Sequence, residues 1–90
     1  MLESEVEKPV CEYAKKKGWL VYKFVSPNNR GVPDRIFLGP GRKIAFIEFK
    51  APGKEPTKLQ KHVFSKIRAL LFKVYVIDNV EEGKKLIDTL

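Results

Sequence analysis

DRIFLGPGRKIAFIEFK, residues 34–50, is the stretch that decides the fold. Residues 34–38 (DRIFL) and 42–50 (RKIAFIEFK) have the β-branched and aromatic content of strands. Gly39-Pro40-Gly41 joins them tightly, so the stretch predicts a hairpin whose loop is slightly longer than two residues. The nearly unbroken apolar run from Ile44 to Ile47 predicts a central strand covered on both faces. Strand side chains alternate, which puts Glu48 and Lys50 on the same face as Ile44 and Phe46. In an antiparallel hairpin the start of one strand lies beside the end of the other. Asp34 is therefore expected next to Glu48 and Lys50.

Working outward, residues 19–25 (WLVYKFV) predict a strand and residues 26–32 (SPNNRGV) a loop. Residues 4–17 predict a helix with Val6, Val10, Tyr13 and Ala14 on its apolar stripe, Ser4 and Glu7 as a capping box, and Gly18 as the stop. Pro9 is comfortable only in a first turn, which would move the regular helix toward Lys8. After a loop at 51–56, Thr57 opens a helix to about Leu71, with Leu59, Val63, Ile67, Leu70 and Leu71 on one face. Residues 73–78 predict a fourth strand, and residues 81–90 a short helix that Gly83 weakens. The order α-β-β-β-α-β-α predicts a single α/β domain over 1–90, with a four-stranded mixed sheet flanked by helices.

The composition narrows the function. At 43% hydrophobic and 32% charged the chain is too apolar for disorder, and no apolar run approaches a bilayer span. Cys11 is the single cysteine and His62 the single histidine, which excludes an internal disulfide and a Cys/His zinc site. The N-terminus lacks a basic-then-apolar signal pattern, so a cytoplasmic protein is expected. Eighteen basic residues against 11 acidic ones give a net charge of +7, which points toward a polyanion, nucleic acid being the commonest.

Two neighbouring carboxylates repel unless something positive lies between them, and a hard divalent cation with oxygen ligands, Mg2+ or Mn2+, is the natural filler. Such an ion lowers the pKa of bound water and stabilises charge on a phosphoryl oxygen. A lysine alongside can position the attacking water or offset charge in the transition state. Asp34, Glu48 and Lys50 thus form a sufficient kit for hydrolysing a phosphodiester.

Gly31-Val32-Pro33-Asp34, fourteen residues ahead of Glu48-Phe49-Lys50, resembles the PD…ExK signature of the PD-(D/E)xK nucleases. The segments YKFVSPNNRGVPDR (22–35), FIEFKAPG (46–53) and LQ (59–60) are similar to the small VRR-NUC domains, particularly the stand-alone kind of phages and bacteria. The resemblance covers nearly the whole chain and implies a restriction-endonuclease-like core. It also implies a metal site made by Asp34, Glu48 and the Phe49 backbone carbonyl, with Lys50 as the catalytic lysine and Gln60 closing the site from the following helix. A helix-one glutamate completes the family's set, with Glu7 the first choice and Glu3 the second. Activity on branched DNA such as flaps or Holliday junctions is implied, as is a homodimer, since a four-way junction needs two symmetric cuts.

Each residue also has a plainer reading. Asp34 can start a strand, Glu48 and Lys50 can pair on an edge, and Gln60 can cap its helix with Thr57. His62 reads as a surface residue and Cys11 as helix packing. Trp19 and Tyr22 read as core or dimer contacts. Lys23 and Arg35 are the basic residues expected to meet phosphate, and Asn28, Asn29 and Arg30 are expected to touch DNA. The rival class is a non-catalytic basic nucleic-acid-binding module; an RNase or a sequence-specific nicking enzyme would use the same kit.

Overall fold

The predicted hairpin forms. In the computed structural model, which describes residues 1–90, β2 (Arg35–Gly39) and β3 (Lys43–Phe49) pair antiparallel, with Arg35 opposite Ile47 and Gly39 opposite Lys43. The loop is Pro40-Gly41-Arg42, and its left-handed Gly41 (φ 75°) and Arg42 (φ 65°) close the turn. β1 (Leu20–Lys23) adds antiparallel to β2. The chain then crosses through α2 (Lys58–Ala69) to β4 (Lys73–Ile77), which runs parallel to β3. Sheet order is β1-β2-β3-β4, so the two strands of the hairpin are central. With α1 (Glu3–Lys16) and α3 (Val80–Thr89), the element order is the one the sequence predicts.

The core lies on one side of the sheet. Ala45, Ile47 and Phe49 of β3 are buried with Phe37, Ile77 and Trp19 against Val6, Val10, Cys11 and Ala14 of α1 and Ile87 of α3. Cys11 is thus a packing residue, and burial pushes its thiol pKa up to about 11. The opposite face is covered less than the apolar run predicts. Phe46 packs on Phe24 (5.6 Å between ring centroids) and edge-on to Phe72 (6.0 Å), but Ile44 is 43% exposed. The alternation that buries Ala45 and Ile47 carries Ile44 to a face that α2 leaves open.

Three local expectations change. α1 begins at Glu3 and passes straight through Pro9, because Val6, Val10, Cys11 and Ala14 bury one whole stripe and offset the missing hydrogen bond. Its first turn is closed by Glu5, whose Oε1 accepts from the Leu2 N–H at 2.7 Å, and not by a Ser4–Glu7 box. In α2 the buried residue is Phe64, while Leu70 and Leu71 lie past the helix end, 72% and 89% exposed.

Gly83 has a packing reason that propensity hides. α3 lies so close to α1 that a Cβ on Gly83 would sit 2.6 Å from Val10 Cγ2 and 3.1 Å from Ile77 Cγ2. Helix propensity alone favours Gly83→Ala by about 1 kcal/mol. The crowded contact reverses the sign, and the substitution is expected to cost about 1–3 kcal/mol, seen as a lower urea midpoint.

Candidate active site

Asp34 stands one residue before β2, and the β2–β3 register carried one step further sets it opposite Glu48. Its Oδ2 accepts a hydrogen bond from the Phe49 N–H at 3.0 Å, which fixes the carboxylate across the mouth of the hairpin. Its own carbonyl accepts from the Phe24 N–H at 2.8 Å, tying it to the chain just past β1. Asp34 is therefore held from both sides by backbone, at the end of the sheet where β3 finishes.

Glu48 is 2% exposed, an unusual place for a carboxylate. Its Oε2 takes Lys50 Nζ at 3.2 Å and Gln60 Nε2 at 3.2 Å. Its Oε1 is buried with no partner at all. Burial pushes the Glu48 carboxyl above its ordinary pKa, Asp34's charge pushes it further, and Lys50 offsets part of the shift. One oxygen of a nearly inaccessible anion is thus left without a donor beside a second anion. That acceptor is unsatisfied by anything in the protein.

Gln60 does two jobs through the two ends of one amide. Its Oε1 accepts from the Thr57 N–H at 2.9 Å, and its backbone N–H donates to Thr57 Oγ1 at 3.1 Å, completing the capping box of α2. Its Nε2 meanwhile reaches Glu48. The helix cap and the contact to Glu48 coexist in one side chain, and only glutamine meets both needs. Glutamate could cap but would face Glu48 with a second anion. Gln60→Glu is therefore expected to leave the helix content seen by circular dichroism intact while lowering the melting temperature of the metal-free protein. Gln60→Ala loses cap and donor together and is expected to cost about 1–2 kcal/mol.

The two helix-one glutamates separate. Glu7 forms an ion pair with Arg35, Oε2 to Nε at 2.8 Å, with both side chains largely shielded. Glu3 lines the same cleft as Asp34 and Lys23, about 270 Å³ in volume, and Glu7 and Arg35 line it too. The Glu3 carboxyl is pushed above its ordinary pKa by desolvation, then by the charges of Asp34 and Glu7, while Lys50 lowers it in part. Glu3, Glu7, Asp34, Glu48 and Lys50 thus share one electrostatic neighbourhood, in which Glu7 is paired with Arg35 and Glu3 has no such partner. Sequence could not separate the pair, since they lie on one helix face and Pro9 obscured where the helix begins.

Of the residues expected to meet nucleic acid, Lys23 is exposed in that cleft and Arg35 is committed to Glu7. Asn28 and Arg30 are exposed on the loop before Asp34. Asn28 also has a backbone reason to be asparagine. Ser26-Pro27-Asn28-Asn29 is a turn closed by the Asn29 N–H to the Ser26 carbonyl (3.0 Å), and Asn28 at its third position has φ 70°. Sequence reading missed that this loop faces α2, where His62 and Lys66 border a groove with it. Leu59, His62, Val63, Lys66 and Ile67 do share helical spacing, but the pattern reads as core without the loop opposite.

No three His, Cys, Asp or Glu side chains make a complete metal cage. Mg2+ does not require one: it usually keeps several waters and takes one or two carboxylates. A hairpin that sets Asp34 opposite Glu48, two residues before Lys50, followed by a crossover helix and a parallel strand, is the arrangement that the PD…ExK resemblance implies.

No protein-family profile matches the chain. The chain is 44% identical over 77 residues to a protein of Acyrthosiphon pisum secondary endosymbiont phage 1 named "Putative nuclease p44", which spans 86% of this chain and 83% of that one. A solved structure described as a VRR_NUC domain superposes with a TM-score of 0.89 at 28% identity, covering 96% of this chain and 94% of the other. The chain belongs to the VRR-NUC family.

Proposed function

We propose that the protein is a divalent-metal-dependent endonuclease that cuts DNA at branched structures such as flaps or Holliday junctions. The observation that carries the proposal is the orphaned Oε1 of buried Glu48, with Asp34 close enough to raise its pKa. A carboxylate this dry, with one oxygen left without a donor, suits a cation as the missing partner of that oxygen. Asp34, Glu48 and the Phe49 carbonyl would hold Mg2+ or Mn2+, with Glu3 better placed than Glu7 to join them. The cation would supply Lewis acidity toward a phosphoryl oxygen. Lys50 spends one N–H on Glu48 and keeps its others for a phosphate oxygen or the attacking water. Gln60 holds Glu48 against rotation, and Lys23 meets the incoming backbone.

A non-catalytic basic module would account for the charge of +7 and leave the buried Glu48 unexplained. The discriminating experiment offers wild-type protein fluorescent duplex, flap, four-way-junction and single-stranded RNA substrates, each with Mg2+, Mn2+ or EDTA. Cutting of branched DNA that EDTA abolishes is the expected result. Equal binding of every substrate with no cutting in either metal would leave the basic module standing.

Two symmetric cuts in a four-way junction call for a homodimer, and the open face of the sheet supports one. Strand register places Leu20, Tyr22 and Ile44 on that face, 54%, 55% and 43% exposed, around the half-buried Ile36, Leu38 and Phe46. An apolar patch of this kind is a common seat for a two-fold partner. Light scattering is expected to read twice the 10.4 kDa chain mass, and a single-chain mass would remove the dimer from the reading.

A further inference from the structure

The groove between the 26–32 loop and α2 takes no part in the bond-breaking chemistry proposed above. It holds about 470 Å³, within the range of pockets that enclose a small molecule. Phe24, Val32, Leu59, Val63 and Ile67 supply its apolar surface. Asn28, Arg30, His62 and Lys66 supply polar and cationic groups, and no carboxylate lines it.

Its shape is built in by glycine. Gly31, at φ 87°, lets the loop backbone settle on α2 so closely that a Cβ there would sit 3.0 Å from Val63 Cγ2 and 3.1 Å from Leu59 Cγ. The Ser26–Asn29 turn holds the other end of the loop, with Asn29 Nδ2 bonded to Ser26 Oγ at 2.9 Å. The groove is also tied to the reaction centre. Phe24 donates its backbone N–H to the Asp34 carbonyl, and Leu59 precedes Gln60, which holds Glu48. Phe24 and Val32 line this groove and the Asp34 cleft alike.

We infer that this groove receives a single unpaired nucleotide of the DNA, its base on the apolar floor beside Phe24 and its phosphate between Arg30 and Lys66. A track for duplex backbone needs cations and little else. An apolar floor is wasted on a paired base, whose faces are covered by its neighbours in the stack. An unpaired base offers a free face to such a floor and free edges to the Asn28 amide and His62. Cations at the rim, with no anion among the lining residues, complement a phosphate in a chain of net charge +7. The inference rests on the nuclease reading for its choice of DNA, and it assigns the preference for branched DNA to the unpaired nucleotide found at a branch.

The test measures binding by anisotropy, with Ca2+ in place of Mg2+, to duplex DNA and to the same duplex with one nucleotide left unpaired opposite a gap. Wild type is expected to bind the unpaired form about tenfold more tightly, the order of one base stacking contact. The double variant Arg30→Ala/Lys66→Ala is expected to erase that preference. With 2-aminopurine at the unpaired position, wild type is expected to shield the base from acrylamide quenching, a readout that does not depend on any variant folding. Equal affinity for both DNAs, or an unpaired base left fully open to quencher, would overturn the inference. Cutting with Mg2+ or Mn2+ is followed on the same DNAs. Cutting without any preference removes the groove and keeps the nuclease; a binding preference without cutting removes the nuclease and keeps the groove.

Discussion

Asp34→Asn is expected to lower the rate of DNA cutting by at least about a thousandfold while leaving the fold and DNA binding in place. The two halves of that expectation come from different atoms. The amide oxygen of asparagine can still accept from the Phe49 N–H, so the bond that closes the mouth of the hairpin survives. The negative charge that Glu48 responds to is lost, and with it half of the carboxylate pair that would hold a cation. Binding to duplex DNA is expected to stay equal or tighten, because an anion has been removed near the phosphates. Lys50→Ala is expected to cut the rate by about a hundredfold to a thousandfold, and it also strips Glu48 Oε2 of its closest cation. Cutting by either variant at near wild-type rate would show that these residues serve the fold alone.

Divalent metal is expected to raise the melting temperature by about 10 °C or more once it exceeds its dissociation constant a hundredfold, since that excess contributes about 2.7 kcal/mol and each kcal/mol moves a domain of this size by roughly 4–8 °C. The reason is again Glu48. Its folded-state pKa lies above the ordinary 4.5, so the ionised form burdens the native state. The sign follows: its contribution to stability is fully present below about 4.5 and is lost as pH rises through the raised value. Without metal, the melting temperature is expected to fall over that window; with Mg2+ the fall is expected to shrink. Glu48→Gln is expected to flatten the pH profile and to remove most of the metal response. A melting curve that ignores Mg2+, Mn2+ and EDTA alike would count against a cation at this carboxylate.

Much of this was legible because the two signals that matter most are local. A hairpin of fixed register sets Asp34 opposite Glu48 from residues only fourteen apart, and alternation adds Lys50. Thr57 and Gln60 announce a helix start in four residues. What sequence left open depends on contacts between distant elements. Which of Glu3 and Glu7 is left unpaired beside the Asp34 cleft depends on how α1 lies on the sheet and on Arg35 claiming Glu7. Phe64, and not Leu70 or Leu71, is buried because α2 ends at Ala69 and the chain turns through Leu71 in the left-handed region. The face occupied by His62 and Lys66 gains meaning only when Gly31 brings a loop against it. Gly83 shows the same limit in reverse: judged by propensity it is a flaw, and judged by its neighbours it is a fit.

Gln60 ties Glu48 to the least secure part of any helix, its first turn. Helix ends fray on fast timescales with little free energy opposing them. Each opening of the Thr57–Gln60 turn also releases the amide that steadies Glu48. For the proposed nuclease, the fraction of molecules with Glu48 held ready would then be set in part by the closed population of one helical turn. Hydrogen exchange at the Gln60 and Lys61 amides would report that population directly. A substrate that closes the turn on arrival would make readiness depend on occupancy, with no movement of the sheet.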